Sequence, residues 1–315
     1  MSIKKILILE GGYNEEHEVS LNTSLEIQKV FNRIKVKYKV LKVNPIDFEK
    51  KILKYKNFIC FNALHGTFGE DGQIQKILKK NNINFTHSNI YSSKICFDKI
   101  LSKKIILRSK ILTPKFIKLK IKDLNYKKLL NLKKIFKKFV IKPTKSGSSY
   151  GVKIIKNDKD LKYFLSEIEN FKKEISYHDI IMIEEFVSGK ELTVSTTKFF
   201  NKIDTLGVTE IKSKNNFFDY QAKYSKGYSK HIFPANIDKK NYKKCLNLAL
   251  KSHKILKCGS IARTDFILDT KKNKIYYLET NTQPGLTSIS LLPEQAKFKK
   301  ISFESLILDI LKNIN

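Results

Sequence analysis

Arginine is almost missing from this chain. Of 62 basic residues only Arg33, Arg108 and Arg263 carry a guanidinium, and the lysines are spread along the whole length with no basic tail. No apolar run is long enough to span a membrane, and the one near the N-terminus, Ile6 to Leu9, is also too short for a secretory signal. The four cysteines, Cys60, Cys96, Cys245 and Cys258, form no C-x-x-C pair. That argues against a zinc site or a disulfide framework and fits a reducing cytoplasm. Neither G-x-G-x-x-G nor G-x-x-x-x-G-K-[ST] occurs, so no dinucleotide fingerprint or P-loop can account for phosphate chemistry.

The formal net charge of +32 points at first to nucleic acid. Base reading and base stacking, however, use arginine clusters and aromatic ladders, which the scattered lysines lack. The charge reads as a composition bias of exposed positions, giving weak, salt-sensitive adsorption and no specific nucleic-acid partner. At 315 residues and 41% hydrophobic content the chain is globular, with two or three domains. Because arginine is so scarce, Arg263 is informative: where lysine would have kept the charge, a fixed, forked guanidinium is needed.

The first 95 residues alternate strand and helix. Strands are expected at Lys4 to Leu9, Lys37 to Val43 and Phe58 to Leu64, with a helix capped by Ser20 and another over Gln73 to Lys79. This is the pattern of a doubly wound parallel sheet, whose ligand groups lie at strand C-termini, where Glu15, Glu16 and His65 fall. A helix around Asp98 to Ser109 leads into a hairpin, Phe139 to Pro143 and Gly151 to Ile155. Its turn, Thr144 to Tyr150, is rich in glycine and serine, so backbone N–H groups and hydroxyls can approach a phosphate, and Lys142 stands at the end of the strand before it. Ile180 to Phe186 is a strand or linker bringing in Glu184 and Glu185. The stretch from Ile211 to Ile232 is polar and aromatic without a clear period, and reads as a lid or binding loop. Helix Lys239 to Leu256 follows. Near the C-terminus a Gly/Ser loop, Gln283 to Leu291, leads into a last helix and can hold an anion if it caps that helix.

Between them lies a second hairpin. Phe266 to Leu268 and Ile275 to Leu278 are strand-length apolar runs around the polar centre Asp269 to Lys274. Alternation puts Arg263 and Asp265 on one face of the first strand, and Glu279 and Asn281 on one face of the second. With the hairpin centred on Lys272, Asp265 lies opposite Glu279 and Arg263 opposite Asn281. Facing carboxylates need a cation between them, and hard oxygen donors of this kind suit Mg²⁺ held together with substrate phosphates. The other reading is a surface hairpin with solvated ends, and a register slip of one residue would separate the pairs.

With these segments in order the chain resembles the D-alanine–D-alanine ligases, ATP-grasp enzymes of peptidoglycan synthesis. The matching stretches are Gly11-Gly-Tyr-Asn-Glu-Glu16-His-Glu-Val-Ser20, Ala63-Leu-His65-Gly, Gly69-Glu-Asp-Gly72, Asp98-Lys99, and Ile141-Lys142-Pro143 with Ser146-Gly-Ser-Ser149. Tyr220-Gln-Ala-Lys223-Tyr224, Arg263-Thr-Asp265 and Leu278-Glu279-Thr-Asn281-Thr-Gln-Pro-Gly285 complete the set. The resemblance implies an N-terminal substrate-binding domain (residues 1–95), a central ATP-grasp part (96–187), and a C-terminal catalytic part (188–315) with a lid over 211–232. It places the phosphates of ATP against Lys99, Lys142, Lys223 and the loop with Ser146 and Ser148. Glu184, Glu185, Phe186 and Val187 would edge the adenine, and Glu191 the ribose. Two Mg²⁺ ions, replaceable by Mn²⁺, would be held by Asp265, Glu279 and Asn281. Glu16 would anchor the first D-alanine and join Ser149 and Tyr224 in a network closing the site. Arg263 and backbone donors near Gly285 would face the oxyanion; His65, Ser290 and Leu291 would bind substrate. A cytoplasmic homodimer is implied.

Each role has a competing account. His65 could be a satisfied semi-buried histidine, Tyr224 lid packing, and Glu184-Glu185 a solvated strand end. Gln221 stands where these ligases usually carry glutamate, and Gln283 occupies a variable site before Pro284-Gly285. The alternatives for the whole chain are another ATP-grasp carboxylate–amine or D-alanine–D-lactate ligase, and a basic binding protein that has lost turnover. The Ala222-Lys223-Tyr224 motif favours an amine as second nucleophile, and intact Lys142, Arg263, Asp265, Glu279 and Asn281 speak against lost turnover.

Overall fold

The computed structural model describes residues 5–199, 202–213 and 229–315, which form three sheets. The first is parallel, in the order β2 (Tyr38–Val43), β1 (Ile6–Gly11), β3 (Ile59–Asn62). Alternate residues of β1 enter different cores. Ile6 and Ile8 pack with Ile27 and Phe31 of helix His17–Arg33 and with Leu306, Ile307 and Ile310 of the C-terminal helix Phe303–Lys312. Leu7 and Leu9 pack with Phe48, Ile74, Leu78 and Phe85. Coverage on both faces explains why the strand reads as an unbroken apolar run. The first helix starts earlier than expected. Ser20 does not cap it; it lies in the opening turns, where its hydroxyl accepts the Gly11 N–H at 2.9 Å and fastens the turn after β1.

The second sheet is antiparallel, in the order β4 (Phe116–Lys120), β7 (Ile180–Glu185), β5 (Phe139–Pro143), β6 (Lys153–Ile155). Phe139, Ile141, Ile181 and Ile183 face a core built with Leu129, Leu132, Leu161, Phe164 and Phe171. Strand alternation sends Val140, Lys142 and Glu184 the other way, into a cavity.

The third sheet has the order β10 (Ser229–Ile232), β9 (Lys202–Ser213), β8 (Lys190–Phe199), β11 (Ile261–Asp269), β12 (Lys274–Asn281), all antiparallel neighbours. Leu192, Val194, Val208, Ala262 and Phe266 meet Cys245 and Ala249 of helix Lys239–Ile255. The segment expected as a long loop over 211–232 therefore has strand at both ends, where Ser213 pairs with Ser229. Edge-strand pairing there leaves little periodicity to read. Two helices, Ile90–Phe97 and Lys99–Arg108, share Asp98, which accepts the Ile100 and Leu101 N–H groups, and both pack against β12. All four cysteines are buried thiols. No helix among the described residues is long and apolar enough to cross a membrane.

One buried amide ties helix Leu291–Phe298 to the third sheet. The β8–β9 register slips between Ser195 and Thr196, and the Ser195 N–H is accepted by Gln295 Oε1 at 2.9 Å. Gln295 Nε2 donates to the Thr193 carbonyl at 3.2 Å and to Thr209 Oγ1 at 2.8 Å. Gln295→Leu leaves these groups unpaired in a dry place, and urea unfolding should register a loss of about 2–4 kcal/mol. A loss below about 0.5 kcal/mol, the range of an ordinary surface change, would show that water satisfies them instead.

Candidate active site

The β11–β12 hairpin pairs Arg263 with Asn281 and Asp265 with Glu279, the expected register. It does so only at that end. Past Asp265 the pairing shifts to Phe266 with Tyr277, so Leu278 has no residue opposite and forms a bulge. The bulge changes the face of everything beyond it. Ile275 and Tyr277 point into the core of the third sheet, and Thr280 is the next residue on β12 to be buried. Glu279 is thereby turned out to the face that carries Asp265.

Cations already stand on both carboxylates. Arg263 donates from Nε to Asp265 Oδ1 at 3.0 Å and from Nη2 to Oδ2 at 2.9 Å, a forked pair that lysine cannot make. Thr193 Oγ1 also donates to Asp265 Oδ1, at 2.6 Å. Lys99 Nζ lies 3.3 Å from Glu279 Oε2 and donates to the Ser146 carbonyl at 2.5 Å. Asn281 Oδ1 accepts the Gln283 N–H at 2.7 Å. Among the described residues no three His, Cys, Asp or Glu side chains cluster as a metal site. The donors here are two carboxylates and an amide oxygen on adjacent strands, an all-oxygen set that fits Mg²⁺ once phosphate oxygens complete it.

Two cavities open on this wall and share Lys99, Ser146 and Glu279. The one between the second and third sheets, about 420 Å³, is lined by Lys142, Ser149, Glu184 to Val187, Glu191, Asp265 and Ile267. Glu184 is not a solvated strand end. Its carboxylate is buried, with Oε2 2.6 Å from Lys142 Nζ and Oε1 2.5 Å from Lys103 Nζ. Burial works to raise the Glu184 carboxyl, but the two ammonium groups overcome it and hold the group below its ordinary 4.5. Burial also pushes the Lys103 ammonium down to about 8, against the upward pull of Glu184.

The other cavity lies between the first sheet and the third. Glu16, His65, Arg263, Gly285, Ser290 and Leu291 all line it. Glu16 is buried, and the Ser148 hydroxyl donates to its Oε1 from the loop that also carries Ser149. Ser148 and Ser149 both have positive φ, 47° and 60°, which tightens the loop. A side chain at Gly66 would come within 2.6 Å of the Glu16 carboxylate, so that glycine admits it. His65 reaches the cavity with both ring nitrogens engaged, Nε2 with Thr23 Oγ1 at 2.9 Å and Nδ1 with Glu70 Oε1 at 3.2 Å. Ser290 precedes helix Leu291–Phe298 without capping it; its Oγ accepts the Thr287 N–H at 3.1 Å and pairs with the Thr287 hydroxyl at 2.8 Å. Tyr220, Gln221, Lys223 and Tyr224 lie outside the described residues.

Two residues that sequence reasoning passed over hold the site together. Gln283, read as a variable position, is 3% exposed and clasps the first sheet. It accepts from Asn62 Nδ2 at 2.8 Å and donates to the carbonyls of Asn62, at 3.2 Å, and of Leu64. Lys103 is the other, and the signal for it was a lysine one turn after Lys99 on a helix face otherwise buried.

Two antiparallel sheets gripping a cleft lined with lysines and carboxylates, beside a parallel-sheet unit, define an ATP-grasp ligase. A family profile described as "D-ala D-ala ligase C-terminus" matches residues 108–312. The D-alanine–D-alanine ligase of Pelagibacter ubique is 43% identical over 98% of both chains, and that of Rickettsia typhi 37% identical over 98% of this chain and 91% of its own. The D-alanine–D-alanine ligase of Bacillus anthracis, solved as a complex with ATP, superposes with a TM-score of 0.79 at 30% identity, covering 99% of this chain and 97% of that one. The chain belongs to the D-alanine–D-alanine ligase family.

The Glu184 pairing has a pH signature. Its folded value lies below 4.5, so its stabilisation is present above 4.5 and is lost as pH falls through the folded value. Urea midpoints measured between pH 6 and pH 3 should therefore fall more steeply for the unmodified chain than for Glu184→Gln. Parallel curves would remove the pair from the acid limb.

Proposed function

We propose that this chain joins two D-alanine molecules into D-alanyl-D-alanine at the expense of ATP, with the site residues in the roles their positions fit. Family membership across the whole chain supports the reaction. The observation that carries the residue roles is the meeting of the two cavities at Lys99, Ser146 and Glu279. A γ-phosphate entering from the lysine-lined side arrives where a carboxylate bound on the Glu16 side can reach it.

In this reading the triphosphate lies along Lys142, Lys99 and the Ser146 to Ser149 loop, with Lys223 an expected further contact. The adenine sits against Glu184, Glu185, Phe186 and Val187, and the ribose at Glu191. Asp265, Glu279 and Asn281 would hold Mg²⁺, two ions by family resemblance and replaceable by Mn²⁺, which when bound disperses the charge of the phosphates. Glu16, steadied by Ser148, holds the ammonium of the first D-alanine, and the carboxylate oxygen of that D-alanine attacks the γ-phosphorus to give an acyl phosphate and ADP. The amine of the second D-alanine, whose carboxylate rests at Ser290 and the Leu291 N–H, attacks the acyl carbon; the amine loses a proton and phosphate leaves. Arg263 and backbone N–H groups near Gly285 face the oxyanion. His65 acts through its engaged ring as a wall of the amino-acid cavity. Ser149 and Tyr224 complete the closure that keeps water from the acyl phosphate. The units 1–95, 96–187 and 188–315 would each carry their own sheet, and the protein would work in the cytoplasm as a dimer.

Phosphate release with ATP and Mg²⁺ should require D-alanine, with neither L-alanine nor D-lactate replacing it as sole carboxylic substrate; equal release without D-alanine would overturn the substrate reading. Glu279→Gln should abolish that release with an unchanged circular dichroism spectrum, and near-normal turnover would refute the metal assignment. Arg263→Lys keeps the charge but loses the fork, and kcat should fall about 10²- to 10³-fold, the scale of losing one oxyanion donor. A kcat within about threefold of the unmodified chain would take Arg263 off the oxyanion.

A further inference from the structure

Helix Lys99–Arg108 sends a second lysine inward one turn after Lys99. The Lys103 side chain is 0% exposed and does not line the ATP cavity. Its ammonium forms the ion pair with Glu184 at 2.5 Å, donates to the Tyr277 carbonyl at 3.2 Å, and lies 5.9 Å from the centre of the Tyr277 ring. Glu184 gives its other oxygen to Lys142, the member of the trio whose ammonium faces the phosphates in the reading above. Two ammonium groups thus share one carboxylate, and the trio carries one net positive charge in a nearly dry place.

Such burial is costly, and apolar side chains in place of the whole trio would serve stability alone as well. The arrangement becomes intelligible through Lys142. A carboxylate paired with Lys142 alone would fix its ammonium but cancel its charge towards an incoming anion. A carboxylate shared with a second, hidden lysine fixes Lys142 and leaves the surplus charge to be answered by phosphate. The Tyr277 carbonyl adds a second link. It immediately precedes the Leu278 bulge that turns Glu279 towards the same phosphates.

We propose that Lys103 is a positioning residue for ATP, which by taking one oxygen of Glu184 keeps Lys142 both fixed and electropositive and anchors the β12 bulge. The inference rests on reading the lysine-lined cavity as the ATP site. The test is equilibrium binding of ATP and, separately, of adenosine to the full-length protein with Mg²⁺, alongside the KM for D-alanine and the melting temperature. Lys103→Met keeps length without charge, Lys103→Gln keeps a donor for Glu184 and the Tyr277 carbonyl and so secures folding, and Lys103→Arg keeps the charge. Both neutral variants should weaken ATP binding about tenfold, with adenosine binding and the D-alanine KM within about twofold, and Lys103→Arg should recover ATP binding to within about threefold. ATP binding unchanged in either folded neutral variant, or adenosine weakened as much as ATP, would overturn the positioning role and leave Lys103 a structural residue. If the unmodified chain bound no ATP, the site reading itself would fall and the inference with it.

Discussion

The site depends on one extra residue in a strand. Strict alternation along β12 would carry Glu279 into the core after Ile275 and Tyr277, where an unpaired carboxylate is strongly unfavourable. The bulge at Leu278 inverts the phase, so Thr280 enters the core and Glu279 faces Asp265. Thr280 then finds Thr264 across the hairpin, hydroxyl to hydroxyl at 3.1 Å, so the buried side of the irregularity is also satisfied. The facing of Asp265 and Glu279, the junction of the two cavities and the approach of Lys99 all follow from that change of face.

Charge is the second constraint. Facing carboxylates on adjacent strands repel, and the fold answers with cations from elsewhere: Arg263 two residues away on the same strand, and Lys99 at the N-terminal end of a helix packed on β12. In a chain that uses lysine at almost every basic position, the forked pair at Asp265 shows what a guanidinium adds. The resemblance assigned Arg263 to the oxyanion alone. The geometry adds that the same group holds the Asp265 carboxylate in place.

Much of this was legible in the residues. The parallel sheet was written in buried runs separated by turns, and the Asp265–Glu279 pairing in the alternation of the hairpin. What escaped had physical reasons. The bulge has no signature, because Leu278 is as ordinary a strand residue as any, and the expected register was right at the site while being off by one at the turn end. Ser20 carried the composition of a cap but serves the strand before it. Gln283 and Gln295 are polar residues whose worth lies in partners 86 to 221 positions away in sequence. No local pattern reports contacts of that range.

The cores do not follow the chain in simple blocks, and this bears on how the site closes. The last helix, Phe303–Lys312, buries Leu306 and Ile310 against the first sheet, while Ile95 and Cys96 pack with the third. Gln283 fastens the loop after β12 to the end of β3. The cavity lined by Glu16 and His65 is therefore bounded by the first and third sheets already joined by apolar packing and by an amide clasp. The second sheet, by contrast, keeps a core of its own, drawn from residues 119–183. It meets the rest through charged and polar contacts: Ser148 to Glu16, Lys99 to the Ser146 carbonyl, and the Lys103–Glu184–Lys142 trio. Polar contacts can be exchanged for contacts to phosphate at little net cost, whereas an apolar core cannot be parted so easily. The seam most open to rearrangement is thus the one that bears the Ser146 to Ser149 loop.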